Sequence, residues 1–251
     1  MRVRLQPTYV LHSRPYRDSS LLVEVFTAEH GRVGLVARGA RRKSRSGSSA
    51  ALLQPFVPML LGFTGRGELK TLTATETAGR AHVLVGERLY SGLYLNELLV
   101  RLLHRHDPHP ELFAAYGSAL ERLAADTDVD HVLRQFELIL IAELGYGFEL
   151  NVDGQTGEAI RPDAWYRYVP EYGLVSQRRE PERDHAAFRG SELQAIAAGD
   201  FTGQARHAAK RLTRQILAEQ LGETPLRSRE LFLSHRRKDP PGAAKPVQKQ
   251  T

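Results

Sequence analysis

Five basic side chains, Arg38, Arg41, Arg42, Lys43 and Arg45, crowd into eight positions of the segment ARGARRKSRSGSSALLQPF. Guanidinium and ammonium groups at that density suit phosphate. They contact backbone oxygens without reading bases, and the resulting affinity is salt-sensitive and independent of sequence. The run is internal, sits between a strand-like stretch and an apolar one, and is padded with Ser and Gly, so it suits a loop. Arg14, Arg17, Arg32, Arg66, Lys70 and Arg80 add positive charge to the same first 80 residues. The rings available there for base stacking are Tyr9, Tyr16, Phe26, Phe56 and Phe63. Tyr16, inside the polar stretch RPYRDS, is the one expected at the surface, and most of the others are expected in a core. A charge run can also be no more than a solvated loop, so the surroundings have to decide.

Other chemistries find less support. His104, His106 and His109 cluster in HRHDPH, but they straddle a helix end and Pro108 without an acidic partner at helical spacing, which is a poor metal site. Asp126, Asp128 and Asp130 have calcium-loop spacing with Glu137 at the twelfth position. His131, however, stands where such a loop needs glycine, and acids at a helix N-terminus explain the cluster. No Walker-type phosphate loop, GxSxG or HExxH occurs, and no carboxylate pair is placed for acid–base work. The absence of cysteine removes disulfides, thiolate metal sites and a cysteine nucleophile. No catalysis, no metal and no cofactor are expected.

The charge is unevenly distributed. Residues 1–80 hold 13 Lys and Arg against 5 Asp and Glu, residues 81–226 hold 15 against 22, and residues 227–251 hold 7 against 2, for net values of +8, −7 and +5. A basic first module beside an acidic middle suggests that one part meets a polyanion and the other does something else. Three function classes fit: a DNA-binding mediator, a protein-only adaptor whose basic module takes an acidic partner, and an RNA-binding barrel. The chain is 41% hydrophobic, enough for a real core. No apolar run approaches the ~18–20 residues of a membrane span, and the N-terminus lacks a signal-peptide core, so a soluble cytoplasmic protein is the expectation.

The positioning elements follow from periodicity. Residues 8–78 read as five short strands, TYVLHS, SLLVEVFT, RVGLVA, QPFVPMLLGF and the second arm of TGRGELKTLTATE, with one long insertion between the third and fourth. That pattern fits an OB-type barrel, with an SH3-like barrel as the alternative. From about residue 84 the period is helical. RLYSGLYLNELLVRLLHR is apolar on most sides, Pro110 opens a second helix, and Asp128 can cap a third that stops at Gly145. Residues 147–180 have no helical period and read as strands and turns. Ser191 can cap a short helix, and a longer one runs from Ala205 to Leu221 and ends at Gly222. On that longer helix Lys210, Arg211 and Arg214 either extend a DNA track or form a solvated side. The expectation is an α+β multidomain chain. It comprises a barrel over 1–80, a helical domain over 81–146 and 181–235, an irregular insertion over 147–180, and a disordered basic tail over 236–251.

These blocks resemble the RecO family of bacterial recombination mediators. The likeness rests on LHSRPYRDSSLLVEVFTAEHGRVGLVARGARR, LLQPFVPMLLGFTGRGELKTLTATE, LYSGLYLNELLVRLL, LRQFELILIAELGYG, AAKRLTRQILAEQLG and PLRSRELF, which occur in family order across nearly the whole chain. The resemblance implies an N-terminal OB-fold, a helical domain and a small knuckle interrupting it. It also implies binding of single- and double-stranded DNA, and annealing of strands coated with the single-strand DNA-binding protein. RecA loading with RecR, and in many pathways RecF, follows from the same likeness, without nucleotide or catalysis. Many members carry paired CxxC zinc motifs near residues 150–178. Here that stretch has no cysteine, so it is expected to pack through Trp165, Tyr166, Tyr168 and Tyr172. The family also docks the acidic, Phe-ending tail of the single-strand DNA-binding protein on its helical domain. The likeness carries Arg134 over to that site, and Arg122 on the preceding helix is a neighbour by position alone.

Overall fold

The computed structural model describes residues 1–42, 49–125, 127–177 and 186–238. Lys43, Arg45, Asp126 and the tail from 239 onward lie outside the described residues. The first 80 residues close into a barrel of strands β1 (Arg2–Tyr16), β2 (Ser20–Thr27), β3 (Gly31–Ala37), β4 (Pro58–Thr64) and β5 (Leu69–Thr77). The order around the barrel is β1-β2-β3-β5-β4, with β3 and β5 parallel and the other pairs antiparallel. This is the OB-type arrangement, with the long connection between β3 and β4 as the spacing predicts. Strand β1 is longer than its apolar core: its first half pairs with β4 and its second half with β2. Arg14, Pro15 and Tyr16 therefore belong to the strand, and the turn expected over RPYRDS shrinks to Arg17–Ser19.

Val10, Val23, Val25, Val33, Leu35, Met59, Leu61 and Phe63 fill the barrel, and Ala40 and Leu53 from the long connection pack into the same core. Period-two alternation puts Leu11 and Phe26 on the outside of the barrel, where they join a second core shared with the helices. Tyr9 and Phe26 meet Phe113 and Tyr116 with ring centroids 5.0–6.4 Å apart. Asn96 donates to the Leu11 carbonyl at 2.9 Å and accepts from the Tyr116 hydroxyl at 2.5 Å, so its buried amide is paired on both sides. Gly31 (φ 59°) lies against Asp107, and a Cβ there would sit 1.8 Å from the Asp107 carbonyl oxygen. Only glycine suits both the left-handed backbone and that approach.

The helical part contains α1 (Glu87–Leu102), α2 (Pro110–Ala124), α3 (Val129–Ile141), α4 (Gly190–Ala197), α5 (Gly203–Leu221) and α6 (Arg227–Lys238). Pro110 takes the first turn of α2, and the Asp128 carboxylate accepts from the backbone of Asp130 and His131 at the start of α3. A π-turn over Ala142–Tyr146 ends α3, with Gly145 at φ 84°. Helix α4 starts at Gly190, one residue before the expected Ser191 cap. Helix α6 carries no strong apolar stripe. It is fixed from outside: Glu97 on α1 accepts from the backbone N–H of Arg227 and Ser228 and from the Ser228 hydroxyl, at 2.6–2.9 Å.

The knuckle holds a three-stranded antiparallel sheet in the order β7 (Gly173–Gln177), β6 (Trp165–Val169), β8 (Ala187–Arg189). Tyr166, Tyr168, Leu174 and Phe188 turn inward to the helical core. Trp165 is only half-buried and Tyr172 is 55% exposed, so two of the four expected anchors face outward. The turn ahead of the sheet is organised by Asp153, which is 3% exposed. Its carboxylate accepts from the backbone N–H of Gln155, Thr156 and Ser176 at 2.9, 3.2 and 2.9 Å. Burial pushes this carboxyl up, but the hydrogen bonds from Ser176, Gln155 and Thr156 outweigh it and hold the group below the usual aspartate value. Gly154 lets the turn approach the hairpin, since a Cβ there would lie 1.5 Å from the Tyr172 carbonyl oxygen.

Candidate functional site

Strand direction decides which basic groups meet. Strands β1 and β3 run the same way, so the β1–β2 turn and the start of the β3–β4 connection emerge at one end of the barrel. The Arg41 N–H donates to the Ser19 carbonyl at 2.9 Å, and its guanidinium reaches the Asp18 carbonyl at 3.5 Å, which ties the two segments together. Arg14, Arg17, Arg38, Arg41 and Arg42 are all exposed there. Tyr16 is half-exposed, with the Arg17 guanidinium 5.2 Å from its ring centroid. Five cations and one available ring thus share a surface that can take phosphate and a stacked base. Among the described residues, none of Arg38, Arg41 and Arg42 forms an ion pair. Phe26, Phe56 and Phe63 are core residues, and Tyr9 is tied up with Phe113 and Tyr116.

Three other barrel cations lie elsewhere. Arg66 is exposed on the β4–β5 hairpin, at the opposite end of the barrel. Lys70 is 7% exposed, and its ammonium donates to the Gly67 carbonyl at 2.5 Å. Arg32 donates to the Val100 carbonyl at 2.6 Å, and burial lowers its pKa while Glu24 opposes the drop. Beside it Arg105 pairs with Glu24 at 2.5 Å, and the His106 N–H reaches the Arg32 carbonyl at 3.0 Å. Arg32 and Lys70 are therefore committed inside the protein, and Arg32 staples the barrel to α1. The histidine cluster belongs to the same seam: His109 sits 3.0 Å from Glu143 and 3.6 Å from Asp107. Among the described residues no group of three or more His, Cys, Asp or Glu is arranged to hold a metal.

A second site opens between α1, α3, α5 and α6. It is a cavity of about 380 Å³ with apolar walls from Tyr90, Leu133, Leu217, Leu221 and Phe232, and Lys210, Arg214, Arg134 and Arg229 at its border. The spacing of Lys210 and Arg214 by four residues puts both on this face of α5. Arg211 turns away, over the Phe188 ring at 5.0 Å and 3.8 Å from Glu192. Arg134 is 3% exposed. Its guanidinium donates to Glu137 at 2.8 Å and to Thr213 at 3.2 Å, and its Nε has no partner among the described residues. Glu137, fully buried, also accepts from Tyr94 at 2.7 Å and Thr213 at 2.5 Å. Burial, reinforced by Glu137, pushes the Tyr94 phenol well above its ordinary value, so it remains a donor. Lys210 lies 3.3 Å from Asp130, which Arg206 also holds at 2.8 Å. Burial raises the Asp130 carboxyl, but these two cations overcome it and lower the pKa. Arg122 bonds Gln135 on the outer side of α3 and does not line the cavity, so the structure separates the two arginines expected to be neighbours.

Sequence reasoning meets Glu137 only as the twelfth position of a rejected calcium loop, and passes over Asn96, Glu97 and Asp153. Asn96 and Glu97 sit on a helix that reads as apolar on most sides, where a lone polar residue is a signal for an internal hydrogen bond. Asp153 sits in a run with no period, and only the Asp-Gly turn dipeptide marks it.

The profile of the Recombination protein O N-terminal family matches residues 1–80, and that of its C-terminal family matches residues 84–230. The DNA repair protein RecO of Methylococcus capsulatus is 49% identical over 234 residues, 93% of this chain and 94% of that protein. The protein of the same name from Nitrosococcus oceani is 50% identical over 238 residues, covering 94% and 96%. That from Pseudomonas aeruginosa is 49% identical over 234 residues, covering 92% and 95%. These names denote repair, not a catalysed reaction. Among the described residues no helix is long and apolar enough to cross a membrane. With both halves matched and relatives near half-identical along almost their full length, this chain belongs to the RecO family of DNA repair proteins.

Proposed function

We propose that this chain is a cytoplasmic recombination mediator. It binds single- and double-stranded DNA without marked sequence preference and anneals strands coated with the single-strand DNA-binding protein. With RecR, and in many pathways RecF, it helps to load RecA, and it catalyses no reaction of its own. The observation that carries this reading is the meeting of the β1–β2 turn and the β3–β4 connection in one exposed surface of Arg14, Arg17, Arg38, Arg41 and Arg42 beside Tyr16. Lys43 and Arg45 continue the same run in sequence. Arg66, at the other end of the barrel, belongs to this reading only as a peripheral contact.

We assign the second cavity to the acidic, aromatic-ended tail of the single-strand DNA-binding protein. Its apolar walls suit a ring, and Lys210, Arg214 and Arg134 suit carboxylates. Lys210 and Arg214 then serve the tail and not a DNA track, and Arg122 is outside the site. The adaptor alternative differs in one measurement, the salt dependence of binding to a random single-stranded oligonucleotide. Five phosphate contacts at about 0.7 per phosphate give a slope of log K on log salt near −3.5. Changing Arg38, Arg41 and Arg42 to Ala should flatten that slope by about 2. No gel shift at low salt would hand the basic surface to an acidic protein partner instead.

A further inference from the structure

We propose that the outer face of the knuckle sheet is a second contact for single-stranded nucleic acid, centred on Trp165. The strand WYRYV alternates, with Tyr166 and Tyr168 buried and Trp165 and Arg167 on the solvent side. Register places Arg189 of β8 directly opposite Trp165. The Arg189 guanidinium lies 5.3 Å from the Trp165 ring centroid, and both Arg167 and Arg189 are exposed. Arg161, in the turn just before β6, is 72% exposed at its side chain and pairs with Asp163 at 3.0 Å. Arg189 therefore packs over a half-exposed indole, with Arg167 two residues on along the same strand face and Arg161 just before the strand, while Glu192 accepts from the Arg189 N–H at 2.9 Å, all within a chain region whose net charge is −7.

A local excess of arginine in an acidic region selects anionic ligands, and the ring selects among them. An indole with a guanidinium over its ring offers a cation–π pair on which a base can stack, with phosphate donors close by, the combination that single strands use and that a duplex, with its bases already stacked, cannot. The inner face of this sheet is locked by Tyr166, Tyr168, Leu174 and Phe188, so the platform is rigid without a metal. An acidic peptide would satisfy the arginines but would leave the indole without a stacking partner unless it carried a ring, and the ring-ended acidic tail is already assigned to the helical cavity. The observations therefore favour a nucleic-acid strand. This inference rests on the DNA-binding reading above and gives that reading a strand contact outside the barrel.

Trp165 is the sole tryptophan of the chain, so its emission reports this one site in the unmodified full-length protein. Titration with a thymidine oligonucleotide should quench that emission, and added salt should restore it. The Arg38→Ala, Arg41→Ala, Arg42→Ala variant should keep the quench. Trp165→Leu, which keeps an apolar side chain on a half-exposed position but removes the ring, should weaken oligonucleotide binding by about tenfold, the effect of one lost base stack. Changing Arg161, Arg167 and Arg189 to Ala should flatten the salt slope by about 2. If a labelled oligonucleotide binds by anisotropy while the emission does not change, the platform is refuted and the barrel reading stands. If no oligonucleotide binds at all, both fall. Equal quenching by a duplex of the same length, or by an acidic peptide, would also overturn the proposal, as would a Trp165→Leu variant of unchanged affinity.

Discussion

Arg134 is the side chain on which the helical core and the peptide-sized cavity depend together, and its replacement should be felt in both. Arg134→Ala removes the cation from a pair whose side chains are 4% and 0% exposed. Breaking a buried pair from one side costs about 3–5 kcal/mol, because the remaining charge keeps its desolvation penalty without its partner. Glu137 retains the Tyr94 and Thr213 hydroxyls as donors, which places the expected loss near the lower end. At about 2–4 °C per kcal/mol for a chain of this size, the melting temperature should fall by roughly 6–12 °C. A double variant, Arg134→Met with Glu137→Gln, removes both charges, fills the volume, and leaves an amide oxygen for Tyr94. It should recover most of the loss, since a buried pair replaced as a unit is close to neutral. Thermal unfolding followed by circular dichroism at one pH and salt concentration measures all three proteins. An Arg134→Ala variant melting within about 2 °C of the parent would refute the argument. So would a double variant no more stable than the single one.

The same reasoning selects better probes of the cavity. Lys210→Ala with Arg214→Ala touches side chains at the border, and Arg206 continues to hold Asp130. Affinity for an acidic peptide ending in Phe should drop at least tenfold, with the melting temperature and the DNA salt slope unchanged; a flattened slope would return these residues to a DNA track. Asp153→Asn should cost about 1–3 kcal/mol by weakening hydrogen bonds to a charged acceptor. Because the folded carboxyl is held below its ordinary value, the stability it supplies is complete above the unfolded pKa and is lost as pH falls through the folded one. The gap between parent and variant should accordingly narrow below about pH 4, and a gap of equal size at pH 3 and pH 7 would rule out the carboxylate as its source. Gly31→Ala should destabilise by about 2–5 kcal/mol, from left-handed backbone and from collision with the Asp107 carbonyl. A melting temperature equal to the parent's would mean that the seam between barrel and helices yields freely.

Strands and helices were legible because their periods are strong. Short apolar and β-branched runs bounded by turn residues mark the barrel strands, with alternation in the fifth, and Pro110, Asp128 and Gly222 sit at the helix ends where their backbone chemistry suits them. Helix α6 was not legible, because Glu97 and Arg101 on a distant helix satisfy its first turn and the chain before it. The knuckle was half legible. Aromatic content suggests packing, but only the alternation inside WYRYV separates Tyr166 and Tyr168, which pack, from Trp165, which does not.

The basic residues show why composition alone overstates a binding surface. Arg32 and Lys70 contribute to the +8 of residues 1–80 as fully as Arg41 does, yet one reaches a helix carbonyl and the other its own hairpin. What sorts them is topology. Connections that leave the barrel beyond the ends of β1 and β3 share one rim, whereas the β4–β5 hairpin and the β2–β3 turn leave at the other. The second rim is occupied in part by the segment after α1, which places Asp107 against Gly31 and Arg105 against Glu24. On that rim Arg32 and Lys70 meet protein and Arg66 stays exposed, whereas on the first rim Arg14, Arg17, Arg38, Arg41 and Arg42 all meet solvent. The shared surface proposed for a polyanion therefore follows from strand order: the same arginines threaded onto a barrel with β3 reversed would be divided between the two rims, with no common surface for a strand of phosphates.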